Sequence, residues 1–229
     1  EMPGHIAIGH VRYATTGSGL AANIQPLLVS YAGGRIAMAH NGNLTNAPLL
    51  RKKLEQGGSV FQTTVDSEVI VNLIARSKKK NVEDRIVESM NQVEGAYCLV
   101  IMTEDRLIGL RDPNGFRPLC LGRMPDGGWV FASESCALDA VGAMMIRDVE
   151  PGEMLIVDGK ELRSRRLVAE KRPPALCVFE YIYFARPDSV IDGQSVHLAR
   201  LAMGRQLAIE SGLKADIVIS VPDSGTTAA

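Results

Sequence analysis

Apolar and polar positions alternate with the period of a β-strand through much of this chain, and the period lengthens to that of a helix in four stretches. Strand patterning covers His5 to Tyr13, then Leu27 to Tyr31 and Arg35 to His40, the last two joined by Ala32-Gly33-Gly34 as a turn and therefore expected to pair antiparallel. Thr45 to Gln56 reads as a helix with Leu49, Leu50 and Leu54 on one side, ended by Gly57-Gly58. Asp66 to Lys80 is a stronger helix. Its buried stripe is Val69, Ile70, Leu73 and Ile74, and Lys78 to Lys80 suit the negative end of the helix dipole. Val82 to Gln92 follows, with Ile86, Val87 and Met90 apolar.

Strands then dominate: Ala96 to Thr103, Arg106 to Arg111, Leu119 to Gly122, Trp129 to Ser133 and Met154 to Asp158. Turns are expected at Asp112-Pro113-Asn114-Gly115, Pro125-Asp126-Gly127-Gly128 and Glu150-Pro151-Gly152. Many antiparallel strands with a few helices predict an α+β domain over residues 1–165. Composition shifts at Arg163 to Pro174, which is basic and ends in two prolines, so residues 166–176 read as a linker. Beyond it, Cys177 to Phe184 reads as an aromatic strand, Ser195 to Gly212 as an amphipathic helix, and Asp216 to Val221 as a strand opening a second α/β unit over residues 177–229.

Composition narrows the class. With 229 residues, 46% of them hydrophobic, the chain can bury one substantial core and part of another. Lys plus Arg (25) balance Asp plus Glu (26), so no global field points to nucleic acid or to a membrane surface, and small polar metabolites are the expected ligands. No apolar run approaches the roughly 18 residues of a membrane span. Cys98, Cys120, Cys136 and Cys177 are scattered without a CxxC pair, which suits a reduced cytoplasmic protein. The chain starts without Met or a signal-like stretch and stops at what reads as a strand-to-helix transition, so an internal fragment is expected.

Three clusters carry candidate chemistry. Arg12, at a strand end, can clamp a carboxylate with two parallel N–H bonds, although an arginine there also serves as a surface or salt-bridge residue. Asn41-Gly42 is the dipeptide favoured in a tight hairpin, and the same geometry can expose an amide and a glycine N–H to an oxyanion. Asp66 stands where an aspartate caps a helix, and it can instead hold an ammonium group. His5, His10 and His40 lack metal-ligand spacing and read as structural, His10 as a hydrogen-bonded core residue. Cys98, Cys120 and Cys136 read as small core hydrophobes. Val221 to Thr227 has the look of a phosphate loop, a small-residue turn after a strand.

Gly9-His10-Val11-Arg12-Tyr13-Ala14-Thr15, Asn41-Gly42-Asn43-Leu44 and Asp66-Ser67-Glu68 together resemble the N-terminal-nucleophile (class II) glutamine amidotransferases. The later segments Arg111 to Leu119, Ala132 to Ser135 and Phe179 to Ser189 resemble the branch that uses phosphoribosyl pyrophosphate, and they disfavour the glucosamine-phosphate and asparagine-forming branches. The resemblance implies a four-layer αββα sandwich with two stacked antiparallel sheets, incomplete at its N-terminus, followed by the start of an α/β phosphoribosyltransferase domain. It implies that glutamine and phosphoribosyl pyrophosphate are the substrates, with 5-phosphoribosylamine, the first committed product of purine synthesis, made from the released ammonia. On the matching positions, Arg12 would bind the glutamine α-carboxylate, Asp66 the α-ammonium, and Asn41 and Gly42 would form the oxyanion hole. The family's nucleophile is an N-terminal cysteine, expected upstream of Glu1, so the fragment alone is expected to be inactive. Mg2+ is expected in the transferase half. Cys177 matches a position that ligates a 4Fe-4S cluster in some members, and Val221 to Thr227 falls at the first transferase strand, not at the diphosphate loop. A homo-oligomer is expected at full length. The reading from another class is a catalytically silent amino-acid-binding protein that keeps Arg12, Asn41 and Asp66.

Overall fold

The computed structural model describes residues 4–11, 21–170 and 172–229. Its secondary structure is α+β with antiparallel sheets. Contacts divide it into two units, Glu1–Arg117 with Val149–Ala175, and Pro118–Asp148 with Leu176–Ala229.

The first unit is built on a six-stranded antiparallel sheet. Its strands are β1 (Leu27–Tyr31), β2 (Gly34–Leu44), β3 (Gly95–Met102), β4 (Arg106–Arg111), β8 (Glu153–Asp158) and β9 (Glu161–Arg166), in the order β1-β2-β3-β4-β8-β9. Pairing register aligns one face: Met38, Ile101, Ile108 and Ile156 stand in a row across four strands, and His40, Leu99, Leu110 and Met154 form the next row. Three helices cover that face, α1 (Ala47–Gln56), α2 (Ser67–Arg76) and α3 (Val82–Met90). They contribute Leu50 and Leu54, Val69, Ile70, Leu73 and Ile74, and Ile86 and Met90 to the same core. Each fully buried Ile or Leu in this layer contributes about 1.5–3 kcal/mol.

Several sequence expectations change here. Residues 5–11 form no strand, because no neighbouring strand among the described residues pairs with their backbone. Half-buried His10 sits in that irregular segment and not in the core. Leu49 is exposed while Ala47, Leu50 and Leu54 face inward. Helix α2 stops at Arg76, so Lys78 to Lys80 lie beyond it. Residues 161–166, partly read as a basic linker, form the edge strand β9, whose Arg163 and Arg165 pair with Glu83 and Asp84 of α3 at 2.7 Å each. Charged side chains are what an exposed sheet edge carries to resist further pairing.

In the second unit, β5 (Cys120–Arg123) lies between β6 (Trp129–Ala132) and β7 (Met144–Asp148), with α4 (Ser135–Ala140) packed on them through Leu138. The sequence pattern marks neither α4 nor β7, both short. Cys177 to Phe184 is not a strand: Glu180–Phe184 is a single π-helical turn. Its reason lies in α5 (Val196–Ser211), where buried Arg200 donates to the Tyr181 and Ala185 carbonyls at 2.7 and 2.8 Å, holding acceptors that the wide turn leaves open. The ends of α5 fall as the sequence predicts, with Ser195 accepting from the Leu198 N–H and Gly212 in the left-handed conformation. A two-strand hairpin, β10 (Val190–Ile191) and β11 (Gln194–Ser195), precedes it. Residues 216–221 are not a strand, since no partner strand among the described residues bonds to them, and Ile217, Val218, Ile219 and Val221 stand exposed.

Candidate functional site

Asn41 and Gly42 lie inside β2, paired with Cys98 and Tyr97 of β3, so the dipeptide is strand and not a hairpin turn. Gly42 has φ +150°, and a Cβ there would sit 2.1 Å from the Ala96 carbonyl oxygen. Only glycine permits this approach of β2 to β3.

The strand alternation then decides which groups are offered. β1 ends at Leu27, opposite Met38, so residues 40–44 of β2 have no strand among the described residues on that side. The His40 N–H donates to Gln25 Oε1 at 2.7 Å, and the Leu44 N–H to Asp66 Oδ2 at 2.8 Å. Thr45 N–H, of opposite parity, donates toward β3, to the Glu94 carbonyl. Period two therefore sends the Gly42 N–H to the open side, between the Gln25 and Asp66 contacts. Asn41 projects from the other face, in the row of Cys98 and Arg111, half-buried and with no side-chain hydrogen bond among the described residues. An amide and a glycine N–H thus stand at one strand end, with a carboxylate tied two residues further along. At about 3.3 Å per residue, Asn41 and Leu44 are about 10 Å apart along the strand, the scale of one amino-acid ligand.

Asp66 precedes α2 but makes no side-chain cap. Its Oδ2 takes the Leu44 N–H, and its Oδ1 lies 3.2 Å from Ser67 Oγ and 3.5 Å from His40 Nδ1. Burial works to raise its pKa, but the hydrogen bond and charge of His40, with the Leu44 and Ser67 bonds, outweigh it and hold the carboxyl below its usual value. The result is a partly buried carboxylate that stays ionised, suited to an ammonium group.

The segment before Asp66 is pinned from two sides. Asn23 exchanges two bonds with Thr64, Nδ2 to Oγ1 at 2.9 Å and Thr64 N–H to Oδ1 at 3.0 Å. Buried Glu68 accepts from the N–H groups of Gln62 and Thr63 at 2.8 Å and from Thr63 Oγ1 at 2.7 Å. His40, Ser67, Glu68 and Asn23 were not singled out as functional by sequence reasoning. The available signal was the alternation that places His40 on the face of Gly42, and the Ser67-Glu68 pair adjoining Asp66. Arg12 lies outside the described residues, so the structure brings together Asn41, Gly42 and Asp66 of the expected set.

The four cysteines are free thiols. Cys98 is buried and donates to the Arg117 carbonyl at 3.3 Å. Burial and the Asp148 charge push the Cys120 thiol up to about 12, and burial pushes Cys136 up as well. These are structural thiols rather than activated nucleophiles. Cys177 stands half-buried in the second unit. No group of three His, Cys, Asp or Glu among the described residues could hold a metal ion. Within Val221 to Thr227 the Thr226 N–H donates to the Asp223 carbonyl, and just beyond it the N–H groups of Ala228 and Ala229 donate to the Gly225 carbonyl. No helix among the described residues is long and apolar enough to cross a membrane.

A family model described as a glutamine amidotransferase domain matches residues 10–140. The whole chain is 48% identical to amidophosphoribosyltransferase 2, chloroplastic, of Arabidopsis thaliana, covering 41% of that protein, and 50% identical to amidophosphoribosyltransferase of Bacillus subtilis, covering 48% of it. Among solved structures, the glutamine phosphoribosylpyrophosphate amidotransferase of B. subtilis complexed with ADP and GMP superposes with a TM-score of 0.89 at 50% identity, over 96% of this chain and 47% of that one. The chain spans less than half the length of these relatives.

Proposed function

The chain belongs to the family of glutamine amidotransferase domains, and on that premise we propose that the whole protein is an amidophosphoribosyltransferase acting on glutamine and phosphoribosyl pyrophosphate. The reading is carried by one arrangement: Asn41 and Gly42 at the end of β2, where β3 pairs one side and no described strand pairs the other, with Asp66 bonded to the Leu44 N–H of the same strand. Asp66 accepts from the α-ammonium of glutamine, and Arg12 takes the α-carboxylate. As a nucleophile adds to the side-chain amide, its carbonyl oxygen gains charge, and Asn41 Nδ2–H and the Gly42 N–H donate to it. Such preset donors are among the largest contributions to acyl-transfer catalysis. The C–N bond then breaks, ammonia leaves, and glutamate follows after hydrolysis of the acyl intermediate. In the transferase half the ammonia nitrogen bonds to the ribose C1 while pyrophosphate departs, giving 5-phosphoribosylamine.

Mg2+ belongs to this reading as counter-charge to the diphosphate, and assembly as a homo-oligomer and a cytoplasmic location, consistent with four free cysteines, belong to it as well. Relatives named as chloroplastic make location a matter for localisation of the whole protein. The test is 5-phosphoribosylamine formation by the whole protein with L-glutamine, and separately with ammonia. Both should support product. Synthesis from neither would reject the proposal, and glutamine binding without any turnover would favour a silent amino-acid-binding protein.

A further inference from the structure

Burying an imidazole in an apolar row costs free energy unless its nitrogens find partners. His40 is such a residue. It is 4% exposed, on the helix-covered face of β2 between Met38 and Gly42, in the row of Leu99, Leu110 and Met154. Both nitrogens face oxygen: Nδ1 lies 2.9 Å from Ser67 Oγ and Nε2 lies 3.5 Å from the Ala96 carbonyl.

Proton counting fixes the direction of the chain on the Nδ1 side. An ionised Asp66 can only accept, and Ser67 Oγ stands 3.2 Å from its Oδ1, so the single Ser67 hydroxyl proton points to the carboxylate. Ser67 Oγ must then accept from His40, which places a proton on Nδ1. The order is His40 Nδ1–H to Ser67 Oγ–H to Asp66 Oδ1, and Nδ1 itself stands 3.5 Å from the same Oδ1. With Oδ2 held by the Leu44 N–H, both ends of the carboxylate are set before any ligand arrives.

The other edge of the ring backs the glycine. A Cβ on Gly42 would lie 2.9 Å from His40 Nε2, so the imidazole rests directly against the Gly42 backbone. One ring therefore touches the element that offers the N–H and, through Ser67, the carboxylate. We infer that His40 is a positioning residue for the glutamine pocket, acting through Ser67 to orient Asp66 toward the substrate's ammonium while its other edge supports the strand at Gly42. The inference rests on the proposed function and deepens it. It assigns His40 no proton transfer with the substrate.

The test uses the whole protein and three substitutions, with L-glutamine and ammonia as alternative nitrogen donors. His40→Asn keeps an N–H donor where Nδ1 stands, whereas His40→Gln moves the amide to the Nε2 position and abandons Ser67. Ser67→Ala cuts the chain and leaves the imidazole in place. Loss of a hydrogen bond to a charged group predicts a rise in KM for glutamine of roughly tenfold or more for His40→Gln and Ser67→Ala. Turnover at saturating glutamine should change less than KM, and His40→Asn should stay within about threefold of the parent KM, a smaller loss than that hydrogen bond represents. Ammonia-dependent synthesis and the melting temperature report folding. Unchanged KM in both His40→Gln and Ser67→Ala overturns the inference. So does a His40→Asn protein as impaired as His40→Gln, or loss of ammonia-dependent activity in parallel. A parent enzyme that shows no saturable use of glutamine instead rejects the underlying function, and that result needs no variant.

Discussion

Replacing Gly42 by alanine would place a methyl carbon 2.1 Å from the Ala96 carbonyl oxygen and 2.7 Å from its carbon, both of them backbone atoms of β3. Nothing flexible is available to move aside. The strands must part, or residue 42 must leave φ +150°. Overpacking against a fixed neighbour costs about 1–3 kcal/mol, and a non-glycine residue held in a sparsely populated backbone region costs about 1–3 kcal/mol more. The sum, about 2–6 kcal/mol, is a large share of the roughly 5–15 kcal/mol that holds a domain together. For a chain of this size each kcal/mol lowers the melting temperature by about 2–4 °C, so Gly42→Ala should melt at least about 4 °C lower by circular dichroism. Gly58→Ala is the control: it also has positive φ, +86°, but nothing lies within 4 Å of its Cβ. It carries the backbone term alone. If the two variants melt together, the close approach of β2 to β3 at Gly42 is wrong, and with it the reason a glycine is needed there.

Acid stability offers a second check. The Asp66 carboxyl is held below its usual value in the fold, so the stability it contributes is fully present above the unfolded value and is lost as pH falls through the still lower folded one. Asp66→Asn should remove that part of the acid limb in urea titrations at stepped pH, and an unaltered limb would contradict the assignment. Arg111, 1% exposed, donates to the carbonyls of Arg117, Gly115 and Val149 at 2.7, 3.2 and 2.9 Å. A lysine cannot span three carbonyls in a plane, so Arg111→Lys should cost at least about 1.5–3 kcal/mol in urea unfolding; a loss below 0.5 kcal/mol would refute the role of the fork. Arg200→Met should free the Tyr181 and Ala185 carbonyls and raise proteolytic cutting within residues 179–185, and unchanged cutting would mean the turn holds without it.

What could be read from sequence was whatever neighbours along the chain decide. The strands β3, β4 and β8 follow from their apolar spacing, and α5 carries its own start at Ser195 and its own end at Gly212. Misreadings occurred where a distant residue decides. Asn41-Gly42 has the local chemistry of a hairpin, and only the Ala96 carbonyl of another strand makes it an interior pair. The stretch at 177–184 has strand-like aromatics, but Arg200 from α5 takes its carbonyls in a helical turn. Residues 216–221 have the composition of a strand, and composition supplies no partner. At the site, the three motifs gave Asn41, Gly42 and Asp66 by type, while the bonds that fix Asp66 come from Leu44, His40 and Ser67, which a linear reading cannot bring together.

The central claim is that Asn41 and Gly42 stabilise an oxyanion formed from glutamine. Its most direct test is the ratio of glutamine-dependent to ammonia-dependent synthesis of 5-phosphoribosylamine by the whole protein carrying Asn41→Ala. Loss of one preset donor predicts a fall in glutamine turnover of about 10²–10³-fold, with the ammonia-dependent rate held. If both rates fall together, or neither falls, Asn41 is a residue of the strand and nothing more.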